Sequence, residues 1–505
     1  RRCRAGGSRP HAALPVPSAC RRPPLTPMTT SVSGTDLDLW VAHCVEQVEA
    51  IDVHTHLLPP THGNLLLYGI DELLCYHYLV AELFMILPIE SVLDTVHVEP
   101  SGRPPSADEF FSWPKRKQAD LVFEELFVKR TPLSEACRGV VTALNLLGLG
   151  DLLLAAARAD GAAPGDRLAP LRAWFAQQDP ATYMEHVFTA AKLRYVVMTN
   201  IPFAPEEAEH WPPPGSAPAA RPCTPRLRTA LRVDPILAGE WHGVTAALVR
   251  AKSPDGAPYP PTIDGCVRYL GDWIRVMQPV YLMASTPAGF TYTPTRPTRR
   301  RADAEAELVR ERSVAGADAG AGTEPSAAQM LEDVLLRVAA EHRLPVALKV
   351  GAVRGANAAL RTGGDGVEVA DLNFLWQLCR EYPHVKFLAT VLSTDNQHEL
   401  CVMARKFGNL HIYGCWWFCN NPSIIEATTR MRLEMLGTAF TSQHSDARVL
   451  DQLLYKWTHS RAAIAPVLIE QYRKLAAAGW SLTEEDVQRD VAMLFGGSFE
   501  AFLAK

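Results

Sequence analysis

Apolar residues recur at helical spacing from Asp36 to Val48, at Leu37, Leu39, Val41, Cys44, Val45 and Val48. That stripe runs into Ile51-Asp52-Val53-His54, which predicts a short strand. Helical patterns follow from Gly69 to Leu87, from Ser106 to Phe127, where Ser106 to Glu109 has the form of a capping box, and from Pro132 to Leu147. Leu193 to Met198 is the next strand pattern. Beyond Ser326 the rhythm becomes regular: helix Ala327 to His342, strand Val346 to Val350, helix Leu372 to Glu381, strand Lys386 to Val391, helix His398 to Lys406, strand Leu410 to Gly414. Such alternation predicts a parallel sheet with right-handed crossovers. With further strands near Val280 and Gly437, the fold class expected is α/β, a closed (β/α)8 TIM-type barrel with helical insertions. An open nucleotide-binding sheet is disfavoured, because no Gly-x-Gly-x-x-Gly or Walker-type loop is present.

Two stretches interrupt this pattern, Ala204 to Arg226 and Ser285 to Ser326, both rich in Pro, Ala, Gly and charge. They read as exposed surface insertions in a barrel spanning 36–505. Residues 1–35 stand apart: Arg1 to Gly34 carry six arginines and no acid. That composition fits either an organelle transit segment or a leader preceding Met28, and it is set aside from the fold.

Composition narrows the function classes. The chain is 505 residues long with a net charge of −5, so no basic footprint for nucleic acid is expected, and Arg299-Arg300-Arg301 reads as solvated linker charge. Apolar runs such as Tyr78 to Ile89 are broken by Glu82 and Pro88 and are too short for a membrane span. Eleven cysteines lie scattered, with Cys75, Cys379, Cys401, Cys415 and Cys419 inside apolar segments, as buried reduced thiols would. A cytoplasmic protein is the expectation, with organelle import as the alternative.

His54 and His56 lie two apart on a strand, where alternate side chains share a face, and the strand ends at Leu57-Leu58-Pro59-Pro60. Both imidazoles can therefore reach one metal at the mouth of a barrel, although two structural histidines would look the same. A second cluster, Gln443-His444-Ser445-Asp446-Ala447-Arg448, follows the strand candidate Met435 to Thr441. First and last strands adjoin in a closed barrel, so Asp446 can join the same ion, and Arg448 can fork onto a substrate carboxylate. A surface turn with an Asp–Arg pair is the plainer alternative. On Val346 to Val350, Ala347 and Lys349 share the face opposite Val346, Leu348 and Val350, and Lys349 is expected to point into the barrel mouth.

At these residues the sequence resembles the uronate (glucuronate) isomerase family of the amidohydrolase superfamily, from about Ile51 to Leu503. The family's His-x-His, Trp-Trp-Phe and Thr-Asp-Ser-Arg segments appear in order as His54-Thr55-His56, Cys415-Trp416-Trp417-Phe418 and Ser445-Asp446-Ala447-Arg448. Leu348-Lys349-Val350-Gly351-Ala352-Val353-Arg354-Gly355-Ala356-Asn357 is similar to its Leu-His-Ile-Gly-Ala-x-Arg-x-x-Asn. His77-Tyr78 resembles its Asp-His-Tyr, and Leu231-Arg232-Val233-Asp234-Pro235 its Arg-Pro-Asp. The resemblance implies an aldose–ketose isomerase acting on a hexuronate, of the D-glucuronate to D-fructuronate type. It implies a divalent metal, zinc being expected, on His54, His56 and Asp446, with Asp446, Lys349 and Arg448 as catalytic residues. A small-molecule sugar acid would meet His77, Tyr78, Arg232, Arg354, Trp416 and Trp417, although the tryptophans suit barrel core equally well. A homo-oligomer is compatible with this reading.

The chain departs from the family in having Lys349 where the family has histidine, since an ammonium group cannot ligate a metal. Thr199-Asn200-Ile201-Pro202 also stands where the family tends to have Thr-Asp-Asp-Pro, which suggests a divergent branch. Two other readings follow from that. One is a metal-dependent hydrolase or lyase with Lys349 as a carbamate bridging two ions. The other is a barrel that only binds.

Overall fold

The computed structural model describes residues 34–88, 104–159, 164–214, 225–294 and 324–505. The arginine-rich leader, 1–33, and the central parts of both insertions, 215–224 and 295–323, lie outside the described residues.

The described residues include nine strands: β1 Ala50–Thr55, β2 Leu193–Asn200, β3 Leu227–Arg232, β4 Leu282–Ser285, β5 Val346–Val350, β6 Ala352–Val353, β7 Gly366–Val367, β8 Phe387–Val391 and β9 Leu410–Ile412. Seven form one parallel sheet in the order β1-β2-β3-β4-β5-β8-β9, while β6 and β7 make a small antiparallel pair in the loop after β5. Residues 441–447 occupy the eighth position. Thr441 N bonds Ile412 O at 2.9 Å, and His56 N bonds Ala447 O at 2.7 Å, so this segment joins β9 to β1 and closes the barrel.

Every residue of β1, β5 and β8 is buried, as a parallel barrel covered on both faces demands. Ile51, Val53, Tyr195, Val197, Ala230, Tyr281, Met283, Ala347, Leu388 and Tyr413 pack inside the barrel, and Phe499 and Phe502 plug its floor. The last helix reaches that floor past Gly496, at φ 129°, where a Cβ would lie 2.5 Å from Cβ of Ile51. A much larger apolar cluster fills the space between sheet and helices.

Several elements differ from the sequence pattern. Ser106 to Phe127 is two helices, Ala107–Ser112 and Lys115–Phe123, followed by the wider turns of Glu124–Val128. Pro114 separates them, because the residue before a proline avoids the helical region and Trp113 is extended. Ser106 Oγ does accept the Glu109 amide at 3.2 Å. Gly69 to Leu87 similarly divides into Ile70–Leu74 and His77–Ile86.

The strand expected from Met435 to Thr441 is not formed. Pro422–Leu436 is a helix capped by Asn421, with Ile425, Thr428, Thr429 and Arg432 buried at helical spacing, and only Thr441 reaches the sheet. The insertion ends are more packed than expected, since Trp211 and Tyr292 are buried. No helix among the described residues is long and apolar enough to cross a membrane, and the described cysteines are free thiols.

Candidate active site

The site begins with an irregularity in β1. Asp52 pairs with Val196 and Thr55 with Met198, so three steps along β1 match two along β2. The extra residue is a bulge, and bulges re-aim side chains. Before it Ile51 and Val53 face the barrel core; after it His54 and His56 turn to the mouth. Asp446 meets them from the closing segment. Its backbone is left-handed, φ 53°, a conformation that aspartate tolerates better than most residues, and its amide is held by His54 O at 3.2 Å.

One carboxylate oxygen, Asp446 Oδ1, lies 3.1 Å from His54 Nε2 and 3.4 Å from His56 Nε2. Lys349 extends from the Ala347 face of β5 into this group, its Nζ 2.7 Å from Asp446 Oδ1 and 2.8 Å from His54 Nε2. The ammonium also sits over the Trp416 ring, 4.5 Å from its centre. Thr199 Oγ1 donates to Thr55 O at 2.9 Å and stands 3.1 Å from His56 Nδ1. With its own proton committed, Thr199 accepts the Nδ1 proton of His56, which leaves the Nε2 lone pair aimed at the cluster.

Burial keeps His54 and His56 far below the ordinary imidazole range, helped by the charges of Lys349 on His54 and Arg448 on His56. Both rings are therefore neutral. Burial alone would raise the Asp446 carboxyl, but the opposing influences, led by the charge of Lys349, outweigh it and hold the group well below the usual carboxylate range. Burial pushes the Lys349 amine down to about 7 against the pull of Asp446, with Arg232 and Arg448 adding to the fall.

The cavity above the cluster is lined by His56, His77, Arg232, Met283, Ser285, Lys349, Arg354, Trp416, Trp417, Asp446 and Arg448. The candidate residues thus come together, apart from two set back from the cavity. His54 lies fully buried beneath it, and Tyr78 stands behind, stacked on Phe418. Trp416 and Trp417 are both buried and both line the cavity, so they serve as wall and core at once. The three arginines differ in their commitments. Arg232 Nε holds Asp234 Oδ2 at 2.6 Å, and Arg354 Nη1 holds Asp365 Oδ2 at 2.6 Å. The Arg448 guanidinium has no carboxylate partner among the described residues.

Sequence reasoning missed several supporting groups. Asp52, fully buried, accepts hydrogen bonds from Ser445 N at 3.0 Å and Trp457 Nε1 at 2.9 Å. A carboxylate inside an apolar strand was the signal for it. Thr199 and His444 lie in segments the sequence marks, but the Thr199 contact with His56, the His444 ring packed edge-on to His54 at 5.1 Å and the buried Lys456 amine beneath Tyr78 arise only from packing.

Two imidazole nitrogens and one carboxylate oxygen, all within 4.8 Å of one another, form a set of donors that can hold a metal ion. This is the N,N,O chemistry of a divalent site with coordination positions left open to substrate.

No protein-family profile matches the chain, and no curated protein matches it. Solved structures do. An uronate isomerase from Bacillus halodurans C-125 is 38% identical, with a TM-score of 0.75 over 94% of this chain and 98% of that one. An uronate isomerase from Thermotoga maritima, 13% identical, matches with a TM-score of 0.63 over 92% of this chain and 97% of that one. A glucuronate isomerase from Caulobacter crescentus, 15% identical, matches at 0.60 over 94% and 95%. At those two identities the likeness speaks to the fold alone. The 38% identity over nearly the full length of both chains goes further: this chain belongs to the uronate isomerase family.

Proposed function

We propose that this chain interconverts an aldose-type hexuronate and its ketose form, with D-glucuronate and D-fructuronate as the type pair, in the cavity above His56 and Asp446. The supporting observation is the convergence of His54, His56, Asp446 and the Arg448 guanidinium, which has no carboxylate partner among the described residues, at the mouth of a barrel of this family. A divalent ion on His54, His56 and Asp446, zinc being well suited to that donor set, would polarise the carbonyl oxygen of the substrate.

The protein's own groups account for the rest. Arg448 receives the sugar carboxylate on its planar fork, with Arg232 adding charge from across the cavity. Trp416 and Trp417 offer flat apolar surface to the carbon face of the sugar and exclude water. Aldose–ketose exchange moves a proton between C2 and C1 and places transient charge on an oxygen. The Lys349 amine, with a pKa near neutrality, can carry that proton or stabilise the developing oxyanion.

A hydrolase or lyase built on a carbamylated Lys349 is not favoured. Its Nζ is already engaged with His54 and Asp446, and a single ligand cluster exists among the described residues, where a bridged pair of ions needs more. The test is a panel of hexuronates, with the matching neutral aldoses as controls, incubated with metal-supplemented enzyme and followed by 13C NMR for the C2 ketone. Ketose formation from at least one hexuronate is expected. If zinc binds and no hexuronate is converted, the proposal fails.

A further inference from the structure

Lys349 does not merely neighbour the candidate metal ligands; its Nζ contacts two of the atoms that an ion would use. An imidazole nitrogen has room for one partner in its ring plane, and at His54 Nε2 that place is taken by Lys349 Nζ at 2.8 Å, while Asp446 Oδ1 receives the same group at 2.7 Å. Those two atoms are 3.1 Å apart. An ion about 2.0–2.2 Å from each of them would stand no more than about 3.8 Å from the position Nζ now holds, wherever it sat around their common axis. Two cations so close repel each other strongly inside a buried group that holds a single carboxylate.

We infer that Lys349 is an internal cation filling the metal cradle, and that a divalent ion enters only by displacing its ammonium group. This rests on the reading of His54, His56 and Asp446 as the metal ligands. It goes further by giving the lysine that replaces the family histidine a competitive role. In the metal-free protein Lys349 neutralises Asp446, so the barrel mouth stays assembled without an ion. The same contact lowers metal affinity, because each binding event must break it. A neutral residue at this position removes the competitor and uncovers the carboxylate together.

The experiment is zinc titration of the full chain, stripped with chelator, by calorimetry and by the zinc-induced shift in melting temperature. The variants are Lys349→Met, Lys349→Gln, Lys349→Arg and His56→Asn. The Met and Gln variants should bind zinc at least tenfold more tightly than wild type, melt lower without metal, and gain more from zinc. The Arg variant, still charged, should gain no affinity. An unmodified readout guards against misfolding: with 13Cε-labelled lysine, the Lys349 resonance, shifted by the Trp416 ring, should move as zinc is added to wild type. Unchanged or weaker zinc affinity in the Met and Gln variants, or a Lys349 resonance indifferent to bound zinc, overturns the inference. If His56→Asn still loses zinc in that case, the metal site itself stands. Absence of zinc binding by every form, wild type included, overturns both.

Discussion

Asp52 and Ser445 meet across 393 residues of chain, the aspartate Oδ1 accepting the serine amide at 3.0 Å. Its other oxygen takes the Trp457 indole N–H, so one buried carboxylate ties the strand bearing His54 and His56 to the segment bearing Asp446 and to the long helix Gln452–Ala477. Burial drives its pKa up to about 6 even though these hydrogen bonds pull the other way. The placing of the three candidate metal ligands therefore leans on a group that lies outside the cavity.

Asp52→Asn keeps the shape and offers one oxygen where two are needed. Its amide nitrogen must face either Ser445 N–H or Trp457 N–H, leaving a buried donor unmet at a cost of about 1–3 kcal/mol. Because such outer groups orient ligands, zinc affinity should also fall about 10–100-fold. Denaturant melts and zinc titration check this. Wild-type values in both would remove Asp52 from the support of the site.

Arg448 should dominate recognition of the substrate carboxylate. Charge-assisted hydrogen bonds of this kind are worth about 1.5–3 kcal/mol, so Arg448→Ala should lower kcat/KM for a hexuronate about 10–150-fold. Arg354→Ala should cost much less, since its guanidinium is half-exposed and committed to Asp365. Steady-state kinetics on both variants decides the matter. An equal effect from the two would deny Arg448 its special place.

Much of this site was legible because its chemistry is written in short segments. The two-residue spacing of His54 and His56 places both rings on one face, and barrel closure brings Asp446 beside them. The alternation of Ala347 and Lys349 set the lysine's direction. What could not be read depends on packing between distant segments. The bulge that turns His54 to the mouth arises from the β1–β2 register, and Thr199 finds His56 only once the two strands pair. The missing strand at Met435 to Thr441 has a local cause. Ile425, Thr428, Thr429 and Arg432 extend a helical face into that region, and the eighth barrel position is filled by irregular chain held through main-chain bonds.

Acid sensitivity follows from His411, buried at the barrel floor against Phe502 and 2.9 Å from Thr441 Oγ1. Burial, with help from Lys505 and Arg432, holds its pKa down at about 3. Below about pH 6.5 the unfolded chain takes up this proton and the folded one does not, so stability falls as pH drops from there toward 3. His411→Gln removes the titrating group. In metal-free protein, the pH dependence of unfolding free energy between pH 6 and 4 should become shallower by about 1.4 kcal/mol per pH unit. An unchanged slope would mean that His411 is protonated in the folded state.

Gly414, two residues past β9, packs tightly against the closing segment, and it tests whether backbone packing positions Asp446. Gly414 has φ 74°, and a Cβ there would lie 2.5 Å from His444 Cδ2 and 2.7 Å from His444 N. The nearest obstacle includes main chain, which cannot rotate away as a flexible side chain would. Asp446 is two residues further along that chain, so Gly414→Ala should shift the carboxylate relative to His54 and His56. Left-handed strain of roughly 1–2 kcal/mol and overpacking of roughly 1–3 kcal/mol should combine to about 2–5 kcal/mol of lost stability, with zinc affinity and turnover falling together. Gly148→Ala is the control, because its φ is 73° and nothing lies within 4 Å of the added Cβ. It should show the backbone strain alone and bind zinc as wild type does. If both variants lose the same stability and both keep wild-type zinc affinity, contact at Gly414 does not position Asp446.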